Sequence, residues 1–380
     1  MKKKVLLVFG TRPEAIKMIP IYFELIKNSA NFEPIICLTG QHKELIEPVL
    51  KIFNIKAKYD LAIMKKNQDL FSITSDILVK TKSIFQKEKP DIVLVHGDTT
   101  TSISAALSAF YLNIPVGHIE AGLRSFNNLS PFPEELNRKL TAQIATLHFS
   151  PTKKNKKNLL LEGIGGDKIH VVGNTGIDSL KNILKLIKNS RVNIKLNLGY
   201  EISRVHGQKR MILVTGHRRE NFGAGFENIL KSIKFLTEKY PDVDFVYPMH
   251  LNPNIREPIL KLFGDETPKN LYLIEPLDYF DFVNFMQKAT LILTDSGGVQ
   301  EEAPSLGKPV LVMRENTERP EGINLGTCRL VGTDQNKIIT EVSRILEDDT
   351  YYKSFSKIDN PYGDGNSSKK IINILMEKLF

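Results

Sequence analysis

The stretch Lys4-Val-Leu-Leu-Val-Phe-Gly-Thr-Arg-Pro-Glu-Ala-Ile-Lys17 decides the fold. Its apolar run Val5–Phe9 has the length of a strand. Gly10 then permits a tight turn, Thr11 can cap a helix, and Pro13 has the fixed φ of a first helical turn. A helix N-terminus therefore sits at the carboxyl edge of the first strand. Free amide groups and the positive end of the helix dipole gather there. Arg12 and Lys17 add formal positive charge. The segment alone fits two readings equally: a pyrophosphate site, or a well-capped helix bearing two solvated cations.

Outward from this unit the pattern repeats. Strands are expected at Lys4–Phe9, Glu33–Leu38, Ile92–His96, Pro115–Glu120, Leu147–Ser150 and Ile169–Val172. Helices are expected at Ala15–Asn28, Lys43–Phe53, Leu70–Lys87 and Thr100–Tyr111. Such alternation implies βαβ units and a parallel sheet with right-handed crossovers. The pattern then restarts with strands at Arg210–Thr215, Asp244–Pro248, Leu271–Ile274, Ala289–Thr294 and Pro309–Val312. Helices at Phe226–Lys239, Tyr279–Gln287 and Val299–Leu306 lie between them. Two such sets predict an α/β protein of two Rossmann-like, doubly wound lobes with a cleft between them. The boundary is expected near Gly173-Asn-Thr-Gly176, giving lobes of residues 1–175 and 176–366. The helix Ser367–Leu379, within residues 367–380, is expected to rejoin the first lobe.

Composition narrows the class. The 380 residues are 41% hydrophobic and 25% charged, ordinary for a globular protein. No apolar run approaches the ~20 residues of a membrane span, and the N-terminus lacks a secretory apolar region. A cytoplasmic protein is expected, with no membrane partner. Its two cysteines form no CxxC or Cys/His cluster, which disfavours a disulfide scaffold or structural zinc. The net charge of +9 reads as a lysine-rich surface, since no nucleic-acid-binding motif accompanies the cluster Lys153–Lys157. A mild positive field also favours a small polyanion.

Two further constellations carry chemistry. Ser296-Gly-Gly-Val-Gln-Glu-Glu302 follows the strand ending at Asp295. Its glycines let backbone approach a phosphate, and Glu302 lies where a carboxylate could accept from two ribose hydroxyls. The other is the set of ionisable groups at strand ends: His96, Asp98, His118, Glu120, Glu134, Glu135, Arg138, His217 and His250. Each alone reads as a salt bridge or a satisfied core histidine; together they point to a site. No GxGxxG follows the first strand, and Gly223-Ala-Gly225 lacks the third glycine, which disfavours a nicotinamide cofactor. Walker, HExxH and GxSxG motifs are absent.

These motifs together resemble the non-hydrolysing UDP-N-acetylglucosamine 2-epimerase family. The resemblance rests on GTRPEAIK (Gly10–Lys17), HGDTTT (His96–Thr101), HIEAGLRS (His118–Ser125), SPFPEELNR (Ser130–Arg138), HRREN (His217–Asn221), HLNPN (His250–Asn254), DSGGVQEEAPSLGKPVLVMRENTERPEG (Asp295–Gly322) and VGT (Val331–Thr333). It implies a glycosyltransferase-B-like fold, a homodimer, and interconversion of UDP-GlcNAc and UDP-ManNAc for cell-surface polysaccharide synthesis. It implies no cofactor and no metal. Arg12, Lys17, Ser296, Gly297 and Gly298 would meet the phosphates, Glu302 the ribose, Arg319 the diphosphate or sugar, and Phe282 uracil. Asp98, Glu120, Glu134 and His217 would surround the sugar. Gln41-His42 is similar to a pair through which some members bind a second substrate as activator. The chain departs from the family at Phe132, often Trp, and at Leu277, Gln in some members.

The implied reaction constrains the chemistry. Carbon 2 carries an acetamido group and is not adjacent to a carbonyl, so its proton is hardly acidic. Early cleavage of the carbon 1–oxygen bond builds oxocarbenium character that acidifies it. Stabilising departing UDP is then the main task, suited to cations and helix N-termini. The intermediate is 2-acetamidoglucal, and re-addition from the opposite face needs groups on both faces. Asp98, Glu120 and Glu134 are the expected acid/base set. A hydrolysing epimerase, a glycosyltransferase of the same architecture and a sugar-nucleotide sensor are the competing readings.

Overall fold

The computed structural model describes residues 2–41, 43–65, 69–189, 209–264, 266–356 and 359–380. The chain divides into two units, residues 1–182 with 362–380, and residues 183–361. The division falls inside the helix Thr175–Asn189.

The first unit is built on a seven-stranded parallel sheet. Its strands are β1 (Lys3–Phe9), β2 (Phe32–Leu38), β3 (Tyr59–Asp60), β4 (Ile92–His96), β5 (Val116–Ile119), β6 (Leu147–Ser150) and β7 (Ile169–Val171). They run in the order β3-β2-β1-β4-β5-β6-β7. Val5–Phe9 is fully buried because helices cover both faces of such a sheet. The order reverses between β1 and β4, so the turns after these two strands diverge and leave a crevice at their carboxyl ends. Gly10 lies in that crevice. A Cβ there would stand 2.0 Å from Thr39 Oγ1 and 2.6 Å from Thr101 Oγ1, so this approach admits no side chain.

The helix Arg12–Lys27 opens with a capping box between Thr11 and Glu14. The helix Ser367–Leu379 belongs to this unit. Asp178 accepts from the amides of Ser367 (3.2 Å) and Ser368 (2.8 Å) at its start, and Phe380 packs edge-on against Phe32.

The second unit holds a six-stranded parallel sheet. Its strands are β8 (Arg210–Thr215), β9 (Val243–Pro248), β10 (Leu271–Ile274), β11 (Leu291–Thr294), β12 (Val310–Val312) and β13 (Cys328–Leu330), in the order β10-β9-β8-β11-β12-β13. The reversal falls between β8 and β11. Ile212, Val214, Phe245, Tyr247, Leu293 and Leu311 form its core with the covering helices. The stretch expected as one helix over Val299–Leu306 is an α-helix over Gly297–Glu302 and a 3₁₀ turn over Ala303–Leu306. Pro304 lacks the amide that would continue α-helical bonding. Among the described residues no helix is long and apolar enough to cross a membrane.

Two histidines in the first sheet give a pH-dependent stability. His118 on β5 and His148 on β6 are register partners and fully buried. Burial pushes His118 down to about 3 and His148 down to about 4. In the unfolded chain both titrate near 6.5. Below that pH the unfolded state binds more protons than the folded one, so stability falls with acidification. The contribution is complete above about 6.5 and is lost progressively toward 3. Each histidine is worth on the order of 3 kcal/mol over that window. The urea midpoint is expected to drop steeply from pH 7 to pH 5, and His148→Leu to flatten the drop. A wild-type midpoint unchanged across that range would contradict this.

Candidate active site

In the first unit the crevice is organised by carboxylates. Glu14 is buried, and its Oε2 accepts from the amides of Gly10 (3.0 Å) and Thr11 (2.8 Å). Its Oε1 accepts from the hydroxyl of Thr99 (2.6 Å). One side chain therefore ties the turn after β1 to the turn after β4. The amides of Gly10 and Thr11, at the start of this turn, are thus occupied by Glu14. A phosphate role for this turn rests on the exposed Arg12 side chain instead.

Lys17 is not aimed at solvent. It pairs with Glu120 Oε2, and both side chains are 9% exposed. The same oxygen accepts from Asn174 Nδ2 at 3.1 Å and lies 3.7 Å from His96 Nε2. Glu120 follows β5 with φ of 62°, a left-handed conformation uncommon outside glycine. Such local strain is kept where surrounding contacts over-determine it.

Asp98 lies in the turn after β4, paired to Arg138 at 3.1 Å. Arg138 is held in turn by Glu135 at 2.9 Å. Burial pushes the Asp98 carboxyl up to about 6. Arg138 opposes the shift, and the fields of Glu120, Glu134 and Glu14 add to it. A Cβ on Gly97, next to Asp98, would stand 3.8 Å from Glu120 Oε1, and Asn137, on the helix that Glu134 opens, donates to the Asp98 carbonyl at 3.0 Å, so Asp98, Glu120 and Glu134 share one neighbourhood. Glu134 opens the helix Glu134–Ile144, and its buried Oε2 has no hydrogen-bond partner among the described residues. Gln41 accepts from Thr101 Oγ1 at 3.0 Å, beside Gly10. His42 lies outside the described residues.

The second unit gathers the other expected residues. Asp295, at the end of β11, is 1% exposed and accepts from the amides of His217 and Arg218, each at 2.8 Å. Its other oxygen stands 3.4 Å from His217 Nδ1. His217 stacks on His250 with ring centroids 5.4 Å apart. The helix at Gly297 begins just beyond. Arg319 crosses Gly297 so closely that a Cβ there would stand 2.6 Å from the guanidinium carbon. Arg319 donates to Glu301 at 2.7 Å and pairs with Glu318 at 3.4 Å. Arg314 joins Glu318 to Glu220, fixing the loop after β12 against the loop after β8. Glu302 is buried and accepts from the Tyr279 hydroxyl at 3.3 Å. Phe282 is half-buried on the helix Tyr279–Lys288, and Ser296 and Gly298 are half-buried at the helix start.

The structure thus brings Arg12, Lys17, Asp98, Glu120 and Glu134 to one unit, and His217, Phe282, Ser296, Gly297, Gly298, Glu302 and Arg319 to the other. Asn174, Glu14, Asp295 and Arg314 were not singled out as site residues in the sequence. Asn174 sat in the expected boundary and Asp295 at a strand end; neither shows its partner without the fold. Among the described residues no cluster of His, Cys, Asp and Glu could hold a metal ion.

Two doubly wound sheets, each with polar groups beyond its strand carboxyl ends, define a two-lobe α/β protein of glycosyltransferase-B-like architecture. A family profile described as UDP-N-acetylglucosamine 2-epimerase matches residues 24–376. The chain is 51% identical over 373 residues to the UDP-N-acetylglucosamine 2-epimerase of Escherichia coli K12, covering 98% of each. It is 49% identical over 381 residues to that of Campylobacter jejuni, covering 99% of this chain and 98% of the other. Among solved structures, the Neisseria meningitidis UDP-GlcNAc 2-epimerase bound to UDP-GlcNAc superposes with a TM-score of 0.90 at 49% identity, covering 99% of this chain and 100% of the other. The Methanocaldococcus jannaschii UDP-GlcNAc 2-epimerase, in complex with UDP-GlcNAc and UDP, gives 0.81 at 36% identity, covering 98% and 99%. The chain belongs to the UDP-N-acetylglucosamine 2-epimerase family.

Proposed function

We propose that the chain interconverts UDP-GlcNAc and UDP-ManNAc by eliminating UDP to 2-acetamidoglucal and adding it back. The observation that carries this reading is the shared neighbourhood of Asp98, Glu120 and Glu134, with Asp98 pushed up to about 6. Transfer or hydrolysis that leaves carbon 2 untouched needs no group placed to move a proton there. Inversion at carbon 2 needs one group to take a proton and another to return one from the opposite face.

In the first half-reaction the carbon 1–oxygen bond breaks and its electron pair leaves with UDP. A carboxylate takes the carbon 2 proton, and that C–H pair becomes the carbon 1–carbon 2 double bond. In the second, a carboxyl protonates carbon 2 on the other face and the UDP oxygen adds to carbon 1. Glu120, facing the donors Lys17 and Asn174, is suited to hold negative charge. Asp98, raised toward neutrality, is suited to carry the proton that is returned. We assign the groups of the second unit to the nucleotide: Arg319 and the Ser296–Gly298 amides to the diphosphate, Glu302 to the ribose and Phe282 to uracil. His217 would hydrogen-bond a phosphate or sugar oxygen. Arg12 remains assigned to phosphate, while Lys17 serves as the counter-ion of Glu120. Gln41 and His42 remain assigned to a second, activating substrate molecule. The product would supply cell-surface polysaccharide synthesis, and the enzyme would act as a homodimer.

Incubation with UDP-GlcNAc in D2O, followed by proton NMR, tests the activity. A UDP-linked manno product carrying deuterium at carbon 2 is expected. Free sugar as the product would support the hydrolysing alternative, and no exchange at all would leave a transferase or a sensor.

A further inference from the structure

The segment Gly173–Asp178 is bound more tightly than its place between a strand and a helix requires. Asn174 is 3% exposed, and its backbone amide and both side-chain polar atoms are committed to different parts of the first unit. Its amide donates to the Tyr362 carbonyl at 2.7 Å, on the segment that re-enters this unit. Its Oδ1 accepts from the Gly176 amide at 2.8 Å, inside the first turn of the helix Thr175–Asn189. Its Nδ2 donates to Glu120 Oε2. The first two bonds fix the residue, and the third delivers a neutral donor to a carboxylate.

The surrounding backbone leaves no room for another arrangement. Gly173 has φ of 96°, and a Cβ there would lie 2.5 Å from Ser367 Oγ and 3.3 Å from the Tyr362 carbonyl oxygen. Asp178, one turn along, accepts from the amides of Ser367 and Ser368. The departing helix and the returning segment are therefore locked together at Asn174.

We infer that Asn174 is a positioning residue for Glu120: it fixes the direction of the carboxylate and, with Lys17, holds it in the acceptor state. The inference rests on the reading of Glu120 as an acid/base group. Glu120 is faced by Lys17 from the helix Arg12–Lys27, by His96 from β4 and by the field of Asp98 from the turn beyond it. Lys17 opposes protonation by charge. Asn174 opposes it by a hydrogen bond that a protonated Glu120 oxygen would not accept as well. Asn174 also sets direction, since its side-chain oxygen and its backbone amide are bonded to Gly176 and Tyr362 independently of Glu120.

Two variants separate positioning from bulk. Asn174→Ala removes the donor and the Gly176 contact. Asn174→Asp keeps the shape and an acceptor for Gly176, and loses the donor only when ionised. At low pH the introduced carboxyl and Glu120 share one proton, and the new hydroxyl takes the place of the amide; at high pH both are charged and repel. In Asn174→Ala, kcat is expected to fall about tenfold or more at every pH, with KM changed less than about threefold, the loss typical of one hydrogen bond to a charged group. In Asn174→Asp, kcat is expected to approach wild type at acid pH and fall with rising pH, with the melting temperature close to wild type.

The Glu120 carboxyl carbon, labelled with 13C and identified by its disappearance in Glu120→Gln, is read in the same proteins. Its titration is expected to move to higher pH in both variants. That readout needs no turnover. A wild-type protein that does not epimerise would remove the proposed function while leaving this titration to judge the positioning. Asn174→Ala with an unmoved Glu120 titration would overturn the inference. So would an Asn174→Asp protein that loses the same fraction of activity at every pH together with melting temperature, since that is the mark of a structural residue.

Discussion

Glu120→Gln is expected to lower kcat for epimerisation by about a thousandfold, with UDP affinity within about threefold of wild type. The substitution is isosteric, so the carbonyl can still accept from Lys17 and from Asn174. What it removes is the charge and the capacity to take a proton. A positioned general acid or base contributes on the order of 10² to 10⁴ in rate, and the neutral amide forfeits it. The loss should appear in kcat, because Glu120 is not among the groups assigned to the nucleotide, which apart from Arg12 belong to the second unit. The Lys17 cation, 9% exposed, also loses its counter-ion. Removing one partner of a buried pair costs about 3–5 kcal/mol, and the retained carbonyl dipole offsets part of that. The melting temperature should therefore fall while the fold persists. Steady-state kinetics with UDP-GlcNAc and calorimetric UDP binding check both halves. A kcat within about threefold of wild type would remove Glu120 from the acid/base set.

Asp295→Asn is expected to lower kcat/KM about a hundredfold, although Asp295 meets no group of the sugar in the proposed reaction. Its Oδ2 gathers the amides of His217 and Arg218 and its Oδ1 faces His217 Nδ1. The carboxylate therefore fixes the loop and favours a proton on Nδ1, leaving Nε2 to work as acceptor or, once protonated, as donor. In the asparagine variant one oxygen still receives both amides, so the loop is retained. The new amide group now points a donor at Nδ1 and selects the opposite tautomer. The same logic operates wherever a buried carboxylate orients a histidine. If Asp295 acts through His217, the double variant Asp295→Asn/His217→Asn loses no more than His217→Asn alone, because residues acting as a unit are not additive. Additive losses would show that Asp295 works through other groups.

The stretch Lys4–Lys17 already contained the strand, the turn and the capped helix, because Gly10, Thr11 and Pro13 act through local sterics and local hydrogen bonds. The approach of Asp98 and Glu120 was legible for a related reason: residues just beyond the ends of neighbouring parallel strands meet wherever β4 and β5 pair. What the sequence did not show are the long-range partners. Lys17 and Glu120 are separated by 103 positions, and nothing local tells a phosphate-binding lysine from the counter-ion of a carboxylate. Glu14 carried no role of its own in the sequence, yet its second oxygen reaches Thr99 across the crevice. Asn174 stood in a stretch that composition marks only as a turn. Short elements such as β3 and β13 were missed because two or three residues carry no periodicity.

The proposed reaction depends on the nucleotide leaving the ring before the carbon 2 hydrogen is exchanged. UDP-GlcNAc carrying 18O in the bridge between carbon 1 and the β-phosphorus tests this directly. Once that bond breaks, the phosphate oxygens become equivalent and any of them can re-form it. After incubation with the protein, 31P NMR of the recovered substrate is expected to show 18O moved into the non-bridging positions, at a rate no slower than deuterium appears at carbon 2. Deuterium at carbon 2 with the label still wholly in the bridge would contradict the account.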